Sequence, residues 1–310
     1  MKSKLTAVLF IVLTSAGANA QPAGSANEFH ERGIERYTRA DFEGAVADFT
    51  AVIELSTSPV KKEARRGNWS AAAAEPDEAF GRARVLDPGT ANAYLNRGVA
   101  RLATGDADGA IADFDRAIFI NPTNVWGYYD RGTAWVVKGE AERALADYDK
   151  ALRLDPRFAV GYAGRANLRL DNGDTAGAFA DYERALQLDP RDARIFYSRG
   201  DARRLTGDDA AALADYEQAL RLDPRYGEPY YGRGMLKLAA GDAAGAVADF
   251  TKALSLNDRL ALAYANRGVA HSVQGREAAA EADFRRALEL DPGLRAKIES
   301  RVTLIERQKR

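Results

Sequence analysis

No cysteine occurs in this 310-residue chain, which excludes disulfide staples, thiolate nucleophiles, iron–sulfur clusters and cysteine-ligated zinc. Histidine is nearly as scarce. His30 and His271 are the only two, so imidazole acid–base or metal chemistry has little to draw on. Net charge is small as well: 44 basic against 45 acidic residues give −1, and nothing global points to nucleic acid or an anionic membrane. The one notable apolar run, Leu5 to Leu13, falls far short of the ~20 residues that span a bilayer. Neither a Walker loop nor G-x-G-x-x-G, H-E-x-x-H or G-x-S-x-G occurs, and the turn Asp106-Ala107-Asp108-Gly109 misses the spacing of a calcium loop. The expectation is a protein without catalysis, metal or cofactor.

The first twenty residues read as an address. Lys2 and Lys4 precede the apolar run, and Ala18-Asn19-Ala20 places small residues at −3 and −1 of a cleavage site after Ala20. That is the pattern of a secretory signal. Export is expected, to the periplasm of a Gram-negative host and otherwise to the outside, with residues 21–25 as a linker and no integral membrane segment after cleavage.

What the sequence has in abundance is period. Pro88, Pro122, Pro156, Pro190, Pro224 and Pro292 fall on a 34-residue beat, skipped once at Asp258. Gly98, Gly132, Gly200, Gly234 and Gly268 keep it, as do Ala110 to Ala280 and the aromatics Phe114, Tyr148, Tyr182, Tyr216, Phe250 and Phe284. A fixed period of this length marks stacked supersecondary units. Counted from its first residue, a unit is aromatic at the fourth position, glycine at the eighth and fifteenth, alanine at the twentieth and twenty-seventh, aromatic at the twenty-fourth, and proline at the thirty-second. Glycine closes one helical stretch, aspartate opens the next, and Asp-Pro stops it.

This joint pattern resembles the tetratricopeptide repeat family over residues 26–294. The units are 26–59, 60–90 (degenerate, three residues short), 91–124, 125–158, 159–192, 193–226, 227–260 and 261–294. The resemblance implies an all-α, right-handed α-solenoid of stacked antiparallel helix pairs, about eight units. A basic amphipathic helix over 295–310 would cap it, with Leu294, Ile298, Val302 and Ile305 on one side. An intact but shortened pair is expected over 60–90. The basic face of 295–310 is read as a polar cap, with contact to anionic head groups as the sharper alternative.

Three positions have left the family's apolar pattern together. The seventh is arginine in every unit, Arg32 through Arg267, and the twenty-third is aspartate in all but the degenerate one. The eleventh is often basic too: Arg36, Arg101, Arg169, Arg203 and Lys237. A guanidinium fork suits a carboxylate, so ion pairs such as Arg97 with Asp113 and Arg165 with Asp181 are expected within each pair. The alternative is a basic ladder that reads an anionic ligand.

The resemblance also implies a concave face formed by the first helix of each unit, through its second, fifth, ninth and twelfth positions. These hold Leu95, Val99, Trp126, Tyr129, Thr133, Asn167, Tyr197, Asp201, Arg204, Tyr231 and Met235. Such a groove suits a helix or extended peptide of a partner protein; the tyrosines could instead pack on the adjoining unit. A non-catalytic protein-interaction scaffold is the resulting expectation, with no nucleic-acid partner. The alternative is a structural envelope component that oligomerises through solenoid edges and the last helix.

Overall fold

A computed structural model describes residues 26–65 and 88–308. The expected signal and linker (1–25), most of the degenerate unit (66–87) and the last two residues lie outside the described residues. The chain divides into two compact units, Met1–Leu188 and Asp189–Arg310.

In the first unit four helix pairs follow one another: α1 (Ala26–Thr38) with α2 (Phe42–Arg65), α3 (Pro88–Ala103) with α4 (Ala107–Ile120), α5 (Val125–Lys138) with α6 (Ala141–Leu154), and α7 (Ala159–Asp171) with α8 (Thr175–Leu188). The second unit holds α9 (Ala193–Leu205) with α10 (Asp209–Leu222), α11 (Gly227–Ala239) with α12 (Ala243–Leu256), and α13 (Ala261–Val273) with α14 (Glu277–Leu290). A 3₁₀ turn over Pro292–Leu294 then leads into α15 (Arg295–Gln308). Within each unit the second helix of a pair packs on the first helix of the next. This is the all-α solenoid of paired helices with a short terminal helix that the period implies.

The turns are made as the sequence indicates. Gly105, at φ +87°, is left-handed and ends α3; Asp106 accepts a hydrogen bond from the Gly109 N–H at 2.9 Å and so caps α4, supplying one of the acceptors that a helix N-terminus lacks. Asp174, Asp208 and Asp242 cap α8, α10 and α12 in the same way. The first pair departs from the others here: Ala40 occupies the glycine position at φ 60°, a region that costs a residue with a Cβ about 1 kcal/mol.

Inside a pair, the eighth and twenty-fourth positions meet. A Cβ added to Gly98 would lie 2.6 Å from the Phe114 ring, and one added to Gly234 would lie 2.8 Å from Phe250. Glycine there exchanges about 1 kcal/mol of helix propensity for the close seating of a large ring. Phe49, Phe114, Tyr182, Tyr216 and Phe250 are fully buried in consequence. At Ala166 the same site opposite Tyr182 holds a methyl group, and both residues remain buried.

Seven pairs stand among the described residues, and most of the expected degenerate unit 60–90 lies outside them. α2 continues through Pro59 to Arg65, because the positions that carry Asp-Pro in later units are Ser56 and Thr57 in the first. α2 packs directly on α3. Arg97 Nη1 donates to Thr50 Oγ1 at 3.2 Å, as Arg267 Nη1 donates to Thr251 at 3.1 Å across the immediate neighbours α12 and α13. The pair α1–α2 is thus the adjoining neighbour of α3–α4.

Candidate functional site

Seven arginine–aspartate forks occur among the described residues, four in the first unit and three in the second. In each, Nε and Nη2 of the seventh-position arginine donate to the two oxygens of the aspartate sixteen residues later: Arg97 to Asp113 at 2.9 and 2.6 Å, and Arg165 to Asp181 at 2.8 and 2.7 Å. Arg32, Arg131, Arg199, Arg233 and Arg267 repeat the geometry with Asp48, Asp147, Asp215, Asp249 and Asp283. The eleventh-position cation adds a further contact, Arg169 to Asp181 at 2.8 Å and Lys237 to Asp249 at 2.8 Å. The remaining arginine nitrogen reaches back to the preceding pair, from Arg131 to Asp115 at 2.5 Å and from Arg165 to Asp149 at 2.6 Å. The fourth-position aromatic lies under the guanidinium, with Arg165 5.5 Å from the Tyr162 ring centre and Arg233 5.5 Å from Tyr230; this cation–π contact accounts for the aromatic period at that position. The Asp181 hydrogen bond raises the Arg165 guanidinium above its ordinary value against the opposing effect of burial. These forks occupy the arginines, so each is an internal clamp of its own pair; their charges are not displayed as a ladder for an anion.

The groove residues divide by burial. In the first unit Leu95, Val99, Tyr129 and Thr133 are buried, while Trp126 and Asn167 are half-buried. Tyr129 sits among Trp126, Tyr148 and Phe158 at ring separations of 5.8, 5.5 and 5.6 Å, and it closes over Gly164, where an added Cβ would lie 2.7 Å away. Thr133 Oγ1 donates to the Tyr129 carbonyl at 3.1 Å. Asn167 Oδ1 accepts from the Tyr182 hydroxyl.

In the second unit Tyr197, Asp201, Arg204, Tyr231 and Met235 are all half-buried. Tyr197 packs edge-on against Tyr226 at 5.3 Å. Arg204 donates to Asp201 at 2.7 Å, and Asp201 also accepts from the Tyr216 hydroxyl at 3.2 Å. Tyr231 accepts from Asn266 Nδ2 at 3.0 Å and Met235 packs in the cluster around Phe250. Burial pushes the phenols of Tyr197, Tyr226 and Tyr231 upward, so they stay neutral as donors or acceptors. Tyr129 and Tyr231 thus reach into the adjoining repeat, while Tyr197 packs on rings of its own repeat.

Sequence reasoning overlooked the side chains that are more open. Six large apolar residues are exposed among the described residues, and four of them, Val137, Leu205, Leu262 and Val273, stand at the second or thirteenth position of a first helix. Eleven residues are close to three helical turns, so these two positions lie on one stripe. The thirteenth position was the missing signal; Leu262 already stood at a second position. Among the described residues no group of three or more His, Asp or Glu side chains could hold a metal ion, and no helix is long and apolar enough to cross a membrane.

Repeated helix pairs with a clamped core and a partly open first-helix stripe define a helical-repeat protein. Sequence profiles described as tetratricopeptide repeat match residues 60–125, 164–226 and 261–294, and the chain belongs to the tetratricopeptide repeat family. Solved structures agree on the fold. A tetratricopeptide repeat protein from Parabacteroides merdae is 19% identical with a TM-score of 0.58, over 92% of this chain and 100% of that one. Yeast Tom70 is 17% identical with a TM-score of 0.62, over 96% and 67%. The PilF protein of Pseudomonas aeruginosa is 20% identical with a TM-score of 0.56, over 66% and 92%. No curated protein matches the sequence.

Proposed function

We propose that this protein is a non-catalytic interaction scaffold whose first-helix face, in each of its two units, receives a peptide or helix of a partner protein. The observation that carries the reading is the placement of exposed apolar side chains. The forks and rings inside each pair satisfy one another, whereas Val137 in the first unit and Leu205, Leu262 and Val273 in the second stay open on the equivalent stripe of their own helices. Apolar side chains repeated along an accessible face suit an apolar anchor from another chain. Trp126, Asn167, Asp201, Arg204 and Met235 flank that stripe as partial contacts; Leu95, Val99, Tyr129 and Thr133 support it from beneath. Replacing Val137 and Leu262 together by glutamate tests this. Crosslinked capture of the partner from the native compartment falls at least about ten-fold with an unchanged melting curve. Undiminished capture refutes the groove.

The partner is met outside the cytoplasm on this reading, since Lys2, Lys4, the run Leu5 to Leu13 and Ala18-Asn19-Ala20 form an export pattern. N-terminal sequencing of the exported protein should begin at Gln21; an intact Met1 refutes cleavage. Arg295, Lys297 and Arg301 are exposed on α15 and would give weak, salt-sensitive contact with anionic head groups. Light scattering separates the scaffold from an oligomeric structural component, the scaffold being monomeric.

A further inference from the structure

Eight aspartates are buried among the described residues, and seven of them are the clamped members of the arginine forks. The eighth is Asp130 on α5. It is 9% exposed, and no hydrogen bond or ion pair joins it to another described residue. Among the described residues the titratable groups that face it are the phenols of Tyr37 from α1 and Tyr148 from α6, neither of which supplies a positive charge. A carboxylate taken out of water without a cation is costly, and such a group is retained where something external completes it or where it stays protonated.

The position of Asp130 connects it with the open stripe. Trp126, Asp130, Thr133 and Val137 follow one another at i, i+4, i+7 and i+11, a single line along α5, and Val137 at its end is 56% exposed. One unit earlier, the sixth position of α3 holds Asn96, only 2% exposed, whose Nδ2 has no acceptor. In the second unit the sixth-position Asn266 spends its amide on Tyr231 and on the Leu262 carbonyl. Ser198, at the sixth position of α9, is also buried with an unpartnered hydroxyl, so the register leaves polar groups unserved in both units, and Asp130 is the one buried ionisable group among them. In the first unit the charge is one-sided as well. The second, fifth, sixth, ninth, twelfth and thirteenth positions of α3, α5 and α7 include Asp130 and Asp171 and no lysine or arginine.

We propose that Asp130 is the docking point for one lysine or arginine side chain of the partner segment. Its cationic head meets the carboxylate with the alkyl stem along Trp126, and the segment's apolar anchor lies on Val137, about 10 Å further along α5. The inference rests on the scaffold reading above and adds a partner chemistry to it: a segment with one basic residue at a fixed spacing from an apolar anchor. Burial alone pushes the Asp130 carboxyl well above the ordinary carboxylate range. A bound cation would reverse that and make occupancy weaken in acid, where the carboxyl takes up a proton.

A displayed library of random dodecapeptides, panned on the full chain and on Asp130→Asn, tests the proposal. The wild-type pool is expected to converge on a lysine or arginine at fixed distance from an apolar residue, and norleucine at that position should weaken a selected peptide about ten-fold or more. On Asp130→Asn the basic preference disappears while the protein melts no lower than wild type. An apolar consensus without a basic position overturns the inference and leaves the scaffold reading in place. A library that yields no consensus on the wild type overturns both. The same basic position selected on Asp130→Asn assigns the charge to another carboxylate, and that outcome also overturns it.

Discussion

The Arg165–Asp181 fork is a pair whose value depends on both halves. Each side chain is largely buried, at 16% and 6% exposed, so removal of one breaks the fork and leaves the other with a single remaining counter-charge, Arg169 for Asp181 and Asp149 for Arg165. Arg165→Ala and Asp181→Ala should each cost about 3 kcal/mol, and the double variant should fall short of their sum by about 1–3 kcal/mol in urea unfolding. Strict additivity would mean that the two do not interact. Ala40 gives a prediction of opposite sign. Its φ of 60° suits glycine, so Ala40→Gly should raise stability by about 0.5–1 kcal/mol despite the extra freedom of the unfolded chain. Asp130 adds a pH dependence. Burial raises its folded-state value, so the stability linked to it is complete below the unfolded carboxylate value near about 4 and is lost as pH rises through the raised folded value. Asp130→Asn should therefore stabilise the protein at neutral pH and give no gain near pH 3, as read from thermal melts across that range.

Among the helices, α15 has the narrowest support. Leu294 and Ile298 are buried and Val302 is packed beside them, against Ala265, Ala287, Tyr264 and Phe284 of the last pair. The other side of the helix is basic, which leaves a single apolar stripe to hold it. Ile298→Ala should cost about 2–3 kcal/mol, and hydrogen exchange should show the lost protection in α13–α15, because a repeat contacts only its neighbours. Protection lost evenly along the chain would contradict a nearest-neighbour array. The reach of α2 is also set by local sequence: with Ser56 and Thr57 where later units have Asp-Pro, nothing stops the helix at the usual place.

For the whole molecule, much of the fold was legible in the sequence because each repeat states the same rule again. Gly98 against Phe114, Asp106 as a cap and Arg97 with Asp113 depend on contacts within one 34-residue unit, where spacing alone brings the partners together. The reach of α2 was less legible: a unit boundary read at 59 does not reveal that this helix runs on to Arg65 and packs on α3. The candidate face was legible in outline only. Helical spacing selects a side of α5, but whether Tyr129 faces solvent or folds over Gly164 depends on the absence of a side chain in the neighbouring repeat. That no described cation pairs with Asp130 could not be read from period at all, since an aspartate at the sixth position looks like any other polar residue until the helices around it are placed.

The sixteen-residue separation of each guanidinium from its carboxylate bears on how such a chain can lengthen. Any copied segment that begins at a unit boundary brings both halves of its clamp, together with the ring beneath and the glycine above. A newly inserted copy is therefore locked internally on arrival, and its spare arginine nitrogen finds on the preceding copy the same kind of oxygen it left behind. Growth or loss by whole repeats needs no compensating change elsewhere, whereas gain or loss of a few residues inside a repeat would part every one of these partners at once.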